Sequence, residues 1–263
     1  MNSKNRRSPP GRNSGRIGHS EILLLKRWNT PSVYNGWEQI TRSRIARDGF
    51  NLEETRDFMP QMGPMVGRAL TVVIEPSNPD HPRKRPGNLS AYLEYVASGA
   101  PGPNIVVVQD LDKPKVIGSF WGECNSNLHR SFGCVGTITD GAVRDLDEMT
   151  NAGFKALARR LCVGHAHVFP VRWNCAVTVF GRTVHPGQLI HADKHGFLAI
   201  AEEDEAPLLE AARFMDQQEC KTIIPAVRGA SGHSTPQILA ALNKARRDFR
   251  ESTVQQFTRK GEW

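Results

Sequence analysis

Cysteine is scarce in this chain and falls in no metal-binding or redox spacing. Cys124, Cys134, Cys162, Cys175 and Cys220 contain no CxxC pair, and their number is odd. That argues against a disulfide framework and fits reduced, buried thiols in a cytoplasmic protein. No apolar run approaches the length needed to cross a membrane. The first residues lack an apolar signal core, so no secretion is expected. Early in the chain there is no glycine-rich strand–turn–helix suited to an S-adenosyl cofactor. Acids are missing before Glu21, where Lys4, Arg6, Arg7, Arg12 and Arg16 carry five of the seven net positive charges. The basic character is therefore mostly a tail, which is a poor reason to expect a nucleic-acid partner.

What remains suits one sizeable domain with decorated ends: 263 residues with 39% hydrophobic content. Residues 1–20, rich in Arg, Asn, Ser, Gly and Pro, read as a disordered basic leader. Residues 21–225 read as the main domain and 226–263 as a helical extension. Thr30-Pro31 resembles an N-cap followed by proline at the first helical position, predicting a helix over 31–40. Residues 49–60 read as irregular. Residues 66–74 (VGRALTVVI) and 105–109 (IVVVQ) read as buried strands. The proline-rich stretch 76–87 reads as a loop, and 89–97 as a helix. Strands are expected at 154–161 and 175–180, then short strands at 189–190 and 197–200 flanking a turn at 193–196.

The most informative stretch is 122–148, GECNSNLHRSFGCVGTITDGAVRDLDE. A glycine and an acid open it, and Gly133 falls where a helix C-cap would lie. An apolar run over 134–138 reads as a buried strand. Asp140-Gly141 is a strong turn dipeptide, so 139–145 is expected to turn and deliver Arg144 and Asp145 side by side. A strand–turn–helix junction is where α/β layouts expose polar groups to ligands.

Several motifs in order resemble the RraA-like family. They are Gly122-Glu123, the DGAVRDLDE run, Asn151-Ala152-Gly153-Phe154, Val184-His185-Pro186-Gly187, and His191 through Gly196. That family takes its name from a regulator of ribonuclease E and also contains divalent-metal pyruvate aldolases and oxaloacetate decarboxylases. The resemblance implies a three-layer swivelling β/β/α domain with extra terminal segments, assembled as a homotrimer or hexamer with sites between subunits. It implies a lyase that forms a pyruvate enolate from a 2-oxo acid, with Mg2+ or Mn2+ as Lewis acid.

In that reading Asp145 is the metal ligand. Arg144 grips the ketone oxygen or carboxylate of the substrate with its planar fork. Gly122 and the backbone amides of Cys124 and Asn125, at a helix start, hold the substrate carboxylate. Glu123 orients or activates a water in proton transfer. Glu219 continues the apolar face of Leu208, Ala212 and Met215 on a helix over 206–220. Its spacing leaves open whether it lies at a wet helix end or points into a polar site. The resemblance favours the second, with Glu219 supplied by the adjacent subunit. Asp147 and Glu148 shape the following helix start, with Glu148 also a signature position of the family.

Four histidines depart from many relatives: His165, His167, His191 and His195. The alternation of His165 and His167 puts both on one face of a strand, where structural roles are commoner than metal ligation. Gln188 replaces the acid usual after Pro-Gly. A last helix begins near Ser234, with Leu239, Leu242 and Phe249 among basic residues. The competing reading is a non-catalytic regulator of an RNA-processing enzyme, favoured only by the basic tail and this extra helix. A methyltransferase ranks last.

Overall fold

The structure, a computed structural model, describes residues 15–42 and 49–257. Most of the expected basic leader therefore lies outside the described residues. Its end does not read as a free tail: Ile17 is buried, and Gly18 precedes α1 (His19–Leu25). Packing thus includes Ile17, within the stretch read as leader. Helix α2 (Thr30–Ile40) follows, with Asn29 rather than Thr30 as its cap. Asn29 Oδ1 accepts from the Ser32 amide at 2.9 Å, while Pro31 occupies the first turn.

A short β1 (Arg56–Asp57) leads to β2 (Met65–Ile74), buried along its whole length. The proline-rich connection contains a single helical turn, α3 (His81–Lys84), before α4 (Asn88–Ala97). Next come β3 (Asn104–Asp110), β4 (Ser119–Trp121) and α5 (Glu123–Ser131). As expected, α5 ends where Gly133 takes a left-handed φ of 87°. After β5 (Cys134–Val143) and α6 (Leu146–Asn151) come β6 (Lys155–Leu161), β7 (Pro170–Trp173), β8 (Val177–Val179), β9 (Arg182–Val184), β10 (Leu189–Asp193) and β11 (Gly196–Ile200). The helices α7 (Glu202–Lys221), α8 (Ile223–Arg228) and α9 (Thr235–Gln256) close the described chain.

Strands β6, β5, β3 and β2 run parallel in that order, and β10 and β11 extend the sheet antiparallel beyond β2. The period of two in β3 explains the layering. Val106 and Val108 join one core with Tyr92 and Val96 of α4, whereas Ile105 and Val107 join another with Val177, Val179 and Val184 of the β8–β9 hairpin. The result is the expected order of small sheet, main sheet and helices. A third core places α1, α2 and α7 against β10 and β11. It is locked by buried Arg68, whose Nη1 and Nη2 donate to Glu205 at 2.8 and 2.9 Å. The same pair reads the backbone of Ile17, whose amide donates to Glu205 and whose carbonyl accepts from Arg68.

Two expectations near the centre of the chain are corrected. The strand does not end at Ile138: β5 runs to Val143, and Asp140-Gly141 lie inside it. A register shift against β6 between Thr139 and Ala142 absorbs the irregularity. Asp140 is tolerated there because Oδ1 accepts from the Asp110 amide at 2.7 Å and Oδ2 pairs with Lys113. Nor do His165 and His167 share a strand face. Chain pairing ends at Leu161, and both lie in the loop before β7.

Candidate functional site

The end of β5 and the start of α5 meet in a cleft of about 390 Å³. It is lined by Gly122, Glu123, Cys124, Asn125, Arg144 and Asp145, together with the Ser119–Trp121 strand, His165 and Val168. Six of the seven expected site residues are thus brought together. The seventh, Glu219, is not among the lining residues. It is half-buried near the end of α7, where its Oε1 accepts from Asn35 Nδ2 at 2.9 Å. Burial there raises its pKa above the ordinary carboxylate value, against the lowering effect of the Asn35 hydrogen bond.

The geometry of the pair at 144–145 is set by backbone. Asp145 takes a left-handed φ of 55° and precedes α6, so the chain turns sharply straight after Arg144. Such a conformation in a non-glycine residue is costly and clusters at functional sites. Asp145 Oδ2 accepts from the Glu123 amide at 3.1 Å and lies 3.6 Å from Arg144 Nε. The guanidinium is held from behind, where Nη1 donates to the Val163 carbonyl at 3.2 Å. Both side chains remain about one-third exposed, so their faces are open to a ligand.

Gly122 is required here for space rather than for conformation, because its φ of −170° is ordinary extended backbone. A Cβ at this position would sit 2.6 Å from Asp145 Oδ2 and 3.2 Å from Arg144 Nε. Beyond it, the amides of Cys124 and Asn125 precede the first intrahelical bond, which Ser126 makes to the Gly122 carbonyl. The first turn of α5 therefore presents backbone donors beside a guanidinium, an arrangement that suits a carboxylate.

Beneath the cleft lies fully buried His129, which the polar sequence around it does not single out. Burial lowers its pKa to about 4, so the ring is neutral. Nδ1 donates to the Asn125 carbonyl at 2.7 Å and Nε2 accepts from the Tyr92 hydroxyl at 2.8 Å. His129 thereby ties α5 to α4 and fixes the floor of the site. The sequence also gives no sign that Asp110 and Asp140 are buried together. Desolvation raises Asp110 to about 6, and its amide contact with Asp140 braces β3 against the irregular part of β5.

The other histidines separate cleanly. His191 is buried, lowered to about 4 by desolvation, and bonded to Thr30 and Leu25. His195 pairs with Asp193 at a turn lining a different pocket, and the His167 amide donates to the Pro76 carbonyl. Only His165 of the four lines the cleft.

Among the described residues no group of three or more His, Cys, Asp or Glu side chains could enclose a metal ion. The carboxylates lining the cleft are Asp145 and the exposed Glu123. That set fits a hard divalent cation of the magnesium type, which binds through one or two carboxylates and fills its remaining positions with water and substrate oxygens.

Comparison with known proteins agrees with this architecture. The family model for RraA-like proteins, Aldolase/RraA, matches residues 32–199. Protein DlpA of Legionella pneumophila is 24% identical over 176 residues, which cover 64% of this chain and 26% of that protein. The chain thus spans about a quarter of that relative's length. An uncharacterized protein from Pseudomonas syringae pv. tomato has a similar fold at a TM-score of 0.66 and 20% identity, covering 92% of this chain and 99% of that one. RraAS2 of Streptomyces coelicolor, described as an unusual member of the RNase ES inhibitor RraA protein family, matches at a TM-score of 0.62 and 20% identity, covering 78% and 96%. At such identities the structural likenesses speak for the fold alone, but the family model spans well over half of the sequence, and the chain belongs to the RraA-like family.

Proposed function

We infer that this protein is a divalent-metal-dependent lyase that cleaves or decarboxylates a 2-oxo acid through a pyruvate enolate. One observation carries the reading: Arg144 and Asp145 converge on the first turn of α5 across a glycine at which a Cβ would lie 2.6 Å from the Asp145 carboxylate. Mere surface pairs need no such clearance.

In this reading the Cys124 and Asn125 amides hold the substrate carboxylate, and Gly122 lets it approach. Arg144 donates to the ketone oxygen, where negative charge grows as the enolate forms, so its hydrogen bonds strengthen in the transition state. Asp145 would hold Mg2+ or Mn2+. When bound, such an ion supplies Lewis-acid polarisation of the 2-oxo acid. Glu123 orients water for proton transfer. As the family resemblance implies, Glu219 joins from a second copy in a trimer or hexamer; in its own protomer its Oε1 accepts from Asn35 on α2.

The test is pyruvate release from oxaloacetate and from 4-hydroxy-4-carboxy-2-oxoadipate, with magnesium, manganese or chelator. The expected result is metal-dependent turnover that disappears in Arg144→Ala. A folded, metal-supplied wild type that turns over neither acid refutes the reading.

A further inference from the structure

We propose that His165 is the proton carrier for aldol cleavage in this cleft, taking the proton of the substrate's 4-hydroxyl and returning it to C3 of the enolate. The proposal rests on the lyase reading above, and it names a residue and a reaction step beyond the Glu123, Arg144 and Asp145 set.

The loop that carries His165 is built in place rather than left to wander. The Cys162 amide donates to Val143 at 3.1 Å, Arg144 Nη1 to the Val163 carbonyl, the Ser119 amide to the Gly164 carbonyl at 3.0 Å, and the Val168 amide to the His165 carbonyl at 3.3 Å. Thus both the strand ahead of the cleft and the substrate-gripping arginine hold the same loop. Gly118 permits this contact, since a Cβ there would lie 2.6 Å from the His165 carbonyl oxygen. Ala166 adopts a left-handed φ of 49°, unusual for alanine, immediately after the histidine.

The ring is also pre-set. Nδ1 lies 2.8 Å from the Ala166 carbonyl, which can only accept, so Nδ1 carries the hydrogen. The neutral ring therefore keeps its lone pair on Nε2, for which no protein partner is found among the described residues, and His165 is an exposed residue lining the cleft. The titratable and charged groups sharing that cleft are Glu123, Cys124, Arg144 and Asp145. Of the base types present, Asp145 is given to the metal and Glu123 to water, which leaves the imidazole for the alcohol proton.

The step balances without any co-reactant. Nε2 takes the O4 proton, the C3–C4 bond breaks, C4 becomes a carbonyl, and the bonding pair enters the enolate with its charge at O2. The imidazolium then returns the proton to C3, giving pyruvate and a neutral ring. Oxaloacetate decarboxylation has no hydroxyl proton to remove, so no imidazolium forms: the C3–C4 bonding pair enters the enolate as CO2 leaves, and C3 takes its proton from the water that Glu123 orients.

That difference supplies the test. His165→Asn keeps a donor toward the Ala166 carbonyl but lacks Nε2, and His165→Gln is the second variant. Both are compared with wild type on 4-hydroxy-4-carboxy-2-oxoadipate and on oxaloacetate, with magnesium. The expected result is a fall of about 10²-fold or more in aldol kcat, loss of its acid limb in the pH profile, and decarboxylation within about threefold of wild type. Independently of turnover, the His165 ring resonance of the wild type should shift when pyruvate is added. Equal losses on both substrates, no loss on either, or an unmoved resonance at saturating pyruvate overturns the proposal while the lyase reading stands. A wild type inactive on both acids brings down the two together.

Discussion

Gly122→Ala separates the candidate site from the stability of the fold. The substitution introduces no backbone strain, because φ is −170° and any residue adopts that conformation. It places a methyl group 2.6 Å from Asp145 Oδ2 and 3.2 Å from Arg144 Nε, so the carboxylate must swing away. The carboxylate is about one-third exposed and can do so into solvent. The stability loss is then that of its hydrogen bond from the Glu123 amide, about 1 kcal/mol, or roughly 2–4 °C in Tm. The functional loss is far larger if Asp145 and Arg144 are the working groups, since a misplacement of about 1 Å costs on the order of 10²-fold in rate. Thermal unfolding, pyruvate release and Mn2+ binding by calorimetry should be measured on the same preparation. The expected pattern is a small Tm shift, weakened Mn2+ binding and activity down about 10²-fold. A variant that keeps both metal binding and turnover refutes the assignment of these two residues, whatever its Tm.

Three other outcomes follow from the same geometry. Arg68→Met strands the Glu205 carboxylate in the core and should cost about 3–5 kcal/mol, near 10 °C in Tm, while adding Glu205→Gln should recover much of it; equal Tm values for the single and double variants would contradict this. His129 and His191 are held near 4 in the folded protein against about 6.5 unfolded, so the unfolded state binds more protons and stability falls from about pH 6.5 down to 4. Asp110, raised to about 6, works in the opposite direction over the same range, and His129→Gln should flatten the net acid loss seen in urea titrations at successive pH values. Finally, if Glu219 acts in trans, mixing Glu219→Ala with Arg144→Ala protein should restore part of the activity that each lacks; confirmed subunit exchange without rescue would exclude a shared site.

What was legible in the sequence and what was not divide along one physical line. Strands β2 and β3 announce themselves because both faces are buried, so hydrophobicity alone marks them. Gly133 marks the end of α5 because a left-handed C-cap is a local requirement. Asp140-Gly141 misled because its turn chemistry is equally local, whereas the partners that hold it in a strand come from Asp110 and Lys113, some thirty residues away. The period-two spacing of His165 and His167 misled in the same way, because the left-handed Ala166 between them breaks any strand. Glu219 is a harder case still. Its spacing says only that it prolongs a buried face, and its contact with Asn35 describes one protomer, so any catalytic partner lies beyond the reach of pattern. Gly122 joins the two kinds of information. The sequence marks it as a helix-start glycine of a family motif, and the fold leaves it unstrained. Its necessity lies in how little room residues 144 and 145 leave for a β-carbon, and it is that clearance, rather than flexibility, that a Gly122→Ala variant removes.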